Sequence, residues 1–316
     1  MKAVAFDRFG GPEVLHVIDL PEPHPGPGEV RIAVRAATVN PVDVMARTGR
    51  LAARFPSPPP WVAGMEVAGV VDEVGAGVDP AGVPAVGEPA IAFVGSRGAH
   101  GGYADQVVVP AASVTAAPRG LSMPEAASFL MNALTAQHAL DTLALSEGAT
   151  LLVTGAAGAL GGYLTQLGSL AGLRVIALAS AADEDAVRGF GASDFLARGA
   201  DAVGRARALV PEGVDAVADA ASLGWAIQDA IRNGGQLVVF RVLEGEPERG
   251  ITVHSRTVRE RGTDHAAITR LRELVEEGKL AVRVARVLPA RDAVEAHRLL
   301  AAGGQRGRIV LSFPVA

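Results

Sequence analysis

The chain has 316 residues, 49% of them hydrophobic and 20% charged, and a formal net charge of −5 at pH 7. That length suits two domains of about 150 residues each, and the acidic balance leaves no basic footprint for nucleic acid. There is no cysteine, which excludes disulfides, thiolate metal sites and a cysteine nucleophile.

The opening, MKAVAFDRFGGPEVL, carries charges at Asp7, Arg8 and Glu13. It has no signal-peptide apolar region, so a cytoplasmic protein is expected. Residues 1–122 read as strands throughout, among them EVRIAVRAATV (Glu29–Val39) and ADQVVVP (Ala104–Pro110), both bounded by Gly or Pro. The proline-rich PEPHPGPGE and FPSPPP exclude helix and central strand there, because proline removes ladder donors. At Ser122 the character changes. SMPEAASFLMNALTAQHALDTL opens with Ser122 and Glu125 at capping-box spacing and Pro124 in the first turn. Strands and helices then alternate as apolar runs, which predicts a parallel sheet covered on both faces. The segment Gly148–Leu173 has no charged residue and imitates a membrane span, yet seven glycines interrupt it. A buried strand–turn–helix unit is expected, with no membrane partner. AAITRLRELVEEGKL (Ala266–Leu280) is amphipathic, and RIVLSF (Arg308–Phe313) closes the chain as a strand.

LLVTGAAGALGG is the stretch whose chemistry reads most directly. A strand runs into Gly155, Ala156, Ala157, Gly158, Ala159, Leu160 and Gly161, and a helix follows at once. Small residues let backbone amides approach a pyrophosphate, whose charge the helix N-terminus stabilises. Gly161 lets that helix pack close to the sheet, and Ala156 stands where the first glycine of the G-x-G-x-x-G pattern would be. An NAD site ends its second strand with an acid. Here RVIALAS ends on Ala179 and Ser180, which tolerates a 2′-phosphate and lets Ser180 donate to it. Asp183, Glu184 and Asp185 would repel that phosphate. Arg198 is either the compensating cation or an ordinary surface arginine.

The segment Gly64-Met65-Glu66-Val67-Ala68-Gly69, followed by Gly75, resembles the G-H-E-x-x-G-x-x-x-x-x-G signature of medium-chain dehydrogenases/reductases. TVNPVDVMARTG, GGYADQVVVPA and AHRLLAAGGQRGRIVL extend the resemblance along nearly the whole chain. In the zinc alcohol dehydrogenases of that superfamily the slot of Met65 is a histidine ligand and that of Asn40 a cysteine. A thioether and an amide cannot replace them for Zn²⁺, and the cysteine-rich lobe of the structural zinc is missing. The chain is therefore similar to the zinc-independent quinone oxidoreductase and enoyl reductase branch, with no metal expected. Met65 reads as packing, and Glu66 as a buried structural acid without a named partner.

The resemblance implies an α/β fold: a GroES-like β domain over 1–122, completed by 263–316, and a Rossmann domain with a doubly wound parallel sheet over 123–262. It implies NADP(H) as cofactor and a homodimer formed through an edge strand matched by ITVHSRTV (Ile251–Val258). Cofactor contacts carried over by position are Asn40, Thr135, the 155–161 loop, Ser180 and, after the sixth strand, Phe240, Arg241 and Val242. Without a Lewis acid, hydride must reach an acceptor already electron-poor, a quinone or an α,β-unsaturated carbonyl. The polar residues expected at the nicotinamide are Asn40 and Asp43, the latter either catalytic or a turn cap. Arg241 either reaches the substrate or folds outward. Relatives carry a tyrosine near Thr48–Pro56; this chain has none there, so solvent is an alternative proton source. An enoyl-thioester reductase and a nucleotide-binding protein with little turnover are the competing readings. The loops 48–61 and 93–102, expected to build the cleft, follow no motif.

Overall fold

Valine-rich stretches become strands because β-branched side chains suit a pleated, half-buried surface. In the computed structural model, which describes residues 1–55, 57–96 and 98–314, they appear in quick succession. Pro56 and Arg97, in the two loops expected to build the cleft, lie outside the described residues. The order is β1 (Lys2–Phe6), β2 (His16–Asp19), β3 (Glu29–Thr38), α1 (Pro41–Arg47), β4 (Trp61–Val62), β5 (Glu66–Val74), β6 (Pro89–Phe93), β7 (Gln106–Pro110) and β8 (Val114–Ala116). α1 departs from the all-strand reading of this third. Pro41 sits in its first turn, and the Asp43 carboxylate accepts the Asn40 backbone N–H at 2.8 Å, so the capping box starts a helix that strand propensity does not announce.

Past Ser122, whose N–H donates to Glu125 at 2.9 Å, come α2 (Met123–Ala126) and α3 (Leu130–Leu143). Between them the Ser128 hydroxyl donates to the Glu125 carbonyl at 2.8 Å, a local bond that competes with helix continuation. The alternating part follows: β9 (Thr150–Thr154), α4 (Ala159–Leu170), β10 (Arg174–Ala179), α5 (Glu184–Gly189), β11 (Asp194–Ala197), α6 (Ala202–Leu209), β12 (Val214–Asp219), β13 (Ile231–Val239) and β14 (Thr252–Ser255). These strands form one parallel sheet in the order β11-β10-β9-β12-β13-β14. The uncharged run at 148–173 is thus a buried strand and a 12-residue helix. No described helix is long and apolar enough to cross a membrane.

The chain ends with α7 (His265–Glu276), β15 (Val284–Pro289), α8 (Ala293–Ala302) and β16 (Arg308–Ser312). β16 lies parallel to β15 and antiparallel to β3, completing a seven-stranded sheet of order β15-β16-β3-β5-β6-β8, with β7 also on β3. A second sheet, β2-β1-β4, packs its own apolar residues into the same core, where Phe6, Ile32, Val71 and Leu311 are buried. Two units result. One is Met1–Met131 with Gly262–Gly278 and Val282–Ala316; the other is Asn132–Arg261 with Lys279–Ala281, around Leu152, Ile176, Val217 and Leu237. The first is a GroES-like β unit and the second a Rossmann-like α/β unit.

Gly69 explains one glycine of the signature segment. It lies on β5 opposite Val34 of β3, and a methyl group there would stand 2.1 Å from the Ala33 carbonyl oxygen. Gly69→Ala is expected to lower stability by about 1–3 kcal/mol through overpacking. Urea denaturation should show a lower midpoint with an unchanged slope.

Candidate active site

In the α/β unit, β9 delivers the chain into the 155–161 loop and α4 starts at once behind Gly158. The first-turn N–H groups of a helix have no partner within it, and its positive dipole end favours an anion. A methyl at Gly161 would stand 2.1 Å from the Gly155 carbonyl oxygen and 2.8 Å from Ala156 Cα. The close approach that requires glycine is therefore to the loop backbone, where the sequence reading expected the sheet. Asp219, at the end of β12 and 2% exposed, ties the end of β9, just before the loop, to the turn that follows β12. It accepts the Thr154 hydroxyl at 2.6 Å and the Leu223 and Gly224 N–H groups at 3.0 and 2.8 Å, while Thr154 Oγ1 accepts the Ala221 N–H at 2.9 Å. Sequence reasoning saw only a strand there. Its only signal was an acid closing an apolar run; the pairing of β12 with β9, 65 residues away, is what brings it beside Thr154.

β10 and β11 pair Ala179 with Ala197, so Ser180 and Arg198 leave neighbouring strand ends. The Arg198 N–H donates to the Ala179 carbonyl at 2.6 Å, and its side chain is exposed. The acids expected to repel a phosphate are partly disarmed: Asp183 is buried and Glu184 pairs with Arg188 at 2.8 Å, leaving Asp185 exposed. A hydroxyl and a guanidinium at adjacent strand ends are a donor set that fits a 2′-phosphate. Thr135 is buried on α3. Phe240, Arg241 and Val242 follow β13; Arg241 donates to the Ser222 carbonyl, and Val242 is 83% exposed.

In the β unit the acid of the signature segment has its partner. Glu66 is fully buried and accepts Arg308 Nη2 at 2.9 Å, the Met131 N–H at 2.7 Å and the Thr38 hydroxyl. Arg308 also donates to Asn40 Oδ1, and Asn40 Nδ2 donates to Thr38 Oγ1 at 3.2 Å. Met65 is 1% exposed, and its sulfur accepts the Ser96 hydroxyl at 3.3 Å. Thioether and amide donors, each bonded within the chain, do not fit zinc. Among the described residues no group of three or more His, Cys, Asp or Glu could hold a metal ion.

Asp43 lies in the same nest, 1% exposed, and accepts N–H groups from Asn40 at 2.8 Å and Gly64 at 2.9 Å and the Tyr103 hydroxyl at 3.2 Å. These are the contacts of a cap. Tyr103 meets His297 Nε2 at 3.4 Å, and Arg47 Nε meets His297 Nδ1 at 3.4 Å. Tyr103, His297 and Arg47 were not singled out for this site. Only His297 left a trace, as a polar residue on the apolar face of α8 beside Ala293 and Ala296. Burial pushes Asp43 up to about 6, with its backbone partners pulling the other way, and burial pushes His297 down to about 3, Arg47 adding to it.

The two shifts act oppositely on stability. Asp43 holds its proton more tightly folded than unfolded, so its contribution falls as pH rises from about 4 to 6. His297 binds its proton more weakly folded, so its contribution is present above its unfolded pKa of 6.5 and is lost as pH falls towards about 3. His297→Asn lacks the contribution that grows with pH, so its stability should fall relative to the parent's as pH rises from 4 to 6. The expected difference in slope is up to about 1.4 kcal/mol per pH unit, measured by urea melts at pH 4, 5 and 6.

Comparison with known proteins agrees with both units. The alcohol dehydrogenase GroES-like domain model matches residues 26–119, and the zinc-binding dehydrogenase model matches 190–311. A mouse synaptic vesicle membrane protein VAT-1 homolog-like is 33% identical over 69% of this chain and 51% of its own length. A chloroplastic quinone-oxidoreductase homolog of spinach is 30% identical over 62% of this chain and 60% of its own. The matched region thus spans about half to three-fifths of these curated relatives. Among solved structures, an NAD-dependent alcohol dehydrogenase superposes with a TM-score of 0.87 at 32% identity, covering 99% of this chain and 100% of that one. A mycobacterial protein complexed with NADPH gives 0.85 at 29% identity with the same coverage. With the phosphate loop, the glycine signature and both domain models in one order along the chain, the protein belongs to the medium-chain dehydrogenase/reductase family, among relatives that include quinone oxidoreductases.

Proposed function

We propose that this chain is a cytoplasmic, NADPH-dependent reductase that transfers hydride to a quinone or an α,β-unsaturated carbonyl without zinc. The observation that carries the reading is the state of the two positions where zinc relatives place ligands. Asn40 is engaged by Arg308 and Thr38, and Met65 by Ser96. An acceptor that receives no Lewis-acid activation has to be electron-poor already.

Bound NADPH supplies the hydride. The 155–161 loop and the α4 N-terminus hold its pyrophosphate, Ser180 and Arg198 its 2′-phosphate, and Thr135 and Phe240–Val242 the nicotinamide end. Asn40 is the polar contact for the carboxamide or the acceptor oxygen. Asp43 serves that contact by holding the Asn40 backbone. Arg241, anchored on the Ser222 carbonyl, is within the segment that would meet an acceptor carbonyl or anion. Solvent supplies the proton, since the sequence Thr48–Pro56 has no tyrosine. β14 is the outermost strand of the parallel sheet, and pairing of two such edges would form the homodimer.

The test is oxidation of NADPH and NADH with benzoquinone, an enone and crotonyl-thioester, with and without a zinc chelator. NADPH should be preferred at least tenfold in kcat/KM, with the quinone or enone ahead of the thioester and no loss to chelation. Preference for NADH, or loss of activity on chelation, would overturn the reading. Separately, Arg198→Ala should raise KM for NADPH roughly tenfold, about 1–2 kcal/mol for one charge-assisted bond, and leave KM for NADH within twofold.

A further inference from the structure

We infer that Arg47, His297 and Tyr103 are positioning residues: a one-way hydrogen-bond chain that ends on Asp43 and holds the Asn40 loop in place. The inference rests on the reading of Asn40 as the contact for nicotinamide or acceptor. Arg47, His297, Tyr103 and Asp43 are 3%, 0%, 0% and 1% exposed, so water does not compete for their bonds.

The direction follows from what each group can do. A guanidinium only donates, so His297 Nδ1, 3.4 Å from Arg47 Nε, accepts. That puts the ring proton on Nε2, which faces the Tyr103 oxygen at 3.4 Å. The phenolic proton is then committed to Asp43 Oδ2, 3.2 Å away. Ionised Asp43 only accepts, and it accepts the Asn40 N–H on Oδ2 and the Gly64 N–H on Oδ1. Each role is set by the one before it.

The chain starts and ends on the same helix. Arg47 is the last residue of α1 and Asp43 lies in its first turn, while Tyr103 comes from the loop before β7 and His297 from α8. Arg47 is held further by the Gly10 carbonyl. A cation and an anion thus close a ring through two neutral groups, and α1 cannot turn without breaking it. The other charges acting on this ring are Arg308 on Asp43 and Tyr103, Glu66 on Tyr103, and Glu13 on Arg47. Burial keeps the histidine neutral, and burial with the adjacent Asp43 keeps the tyrosine protonated, as the ring requires.

Tyr103→Phe tests this by removing one oxygen and leaving the ring. NADPH Kd should stay within twofold, kcat should fall about tenfold, and the acid limb of the kcat–pH profile should move up by about half a unit as Asp43 loses a donor. His297→Gln, able to accept on Oε1 and donate on Nε2, should keep kcat within threefold of the parent, whereas His297→Leu should match Tyr103→Phe. A Tyr103→Phe protein with the parent's kcat and pH profile, or equal kcat for His297→Gln and His297→Leu, would overturn the inference. If the parent turns over no quinone or enone, the functional reading has failed, and amide exchange decides the positioning claim alone. Exchange at Asn40 and Gly64 should be about tenfold faster in Tyr103→Phe; unchanged exchange would overturn it.

Discussion

The buried Glu66–Arg308 ion pair is the contact on which the first unit turns. Its partners are 242 residues apart, one on β5 and the other at the start of the last strand. Taking two charges out of water costs several kcal/mol per ion, and only close geometry with further hydrogen bonds repays it. Glu66 has those bonds, from Thr38 and Met131 as well as Arg308. Arg308 is less complete: among the described residues its buried Nε has no partner. Such a pair gives little net stability over an apolar replacement, but losing one member costs about 3–5 kcal/mol. It therefore acts chiefly on geometry, setting how β16 meets the loop that carries Asn40.

The second unit solves the same problem with hydrogen bonds alone. Asp219 gathers a hydroxyl and two backbone N–H groups at the end of β12, and Thr154 takes a third N–H, so the end of β9 is fastened to the turn after β12. In both units a single carboxylate, buried at a strand end, gathers several donors from neighbouring segments. A carboxylate suits this work because it accepts several bonds at once and its burial is tolerable only when they are all made.

Asn40 carries a different meaning in this setting. Its side chain is taken up by Arg308 and Thr38 and its N–H by Asp43, which leaves a rigid corner where zinc relatives have a ligand. Met65 fills its slot by packing and by the Ser96 bond. In the segment Trp61–Gly77, Gly69 is required by the Ala33 carbonyl oxygen, while the polar groups of Glu66 and Met65 bond inward.

Much of this was legible in the sequence. The alternation after Ser122, the 155–161 loop and the acid-free end of β10 depend on neighbours within some 30 residues, and local periodicity or spacing records such contacts directly. The helix α1 was also written there, in Asn40, Pro41 and Asp43, but β propensity on either side masked it. Arg308 on Glu66, Tyr103 on Asp43 and His297 on Tyr103 were not legible. They join residues 242, 60 and 194 positions apart. No spacing rule links such positions; only the packing of β16 on β3 and of α8 beneath them brings the groups within hydrogen-bond reach. The sequence determined most of the strands, the place of the glycine-rich turn and the lack of histidine and cysteine at positions 65 and 40. Tertiary structure decided what each buried charge faces, because the direction and strength of a polar contact depend on distance and burial, which the chain acquires only on folding.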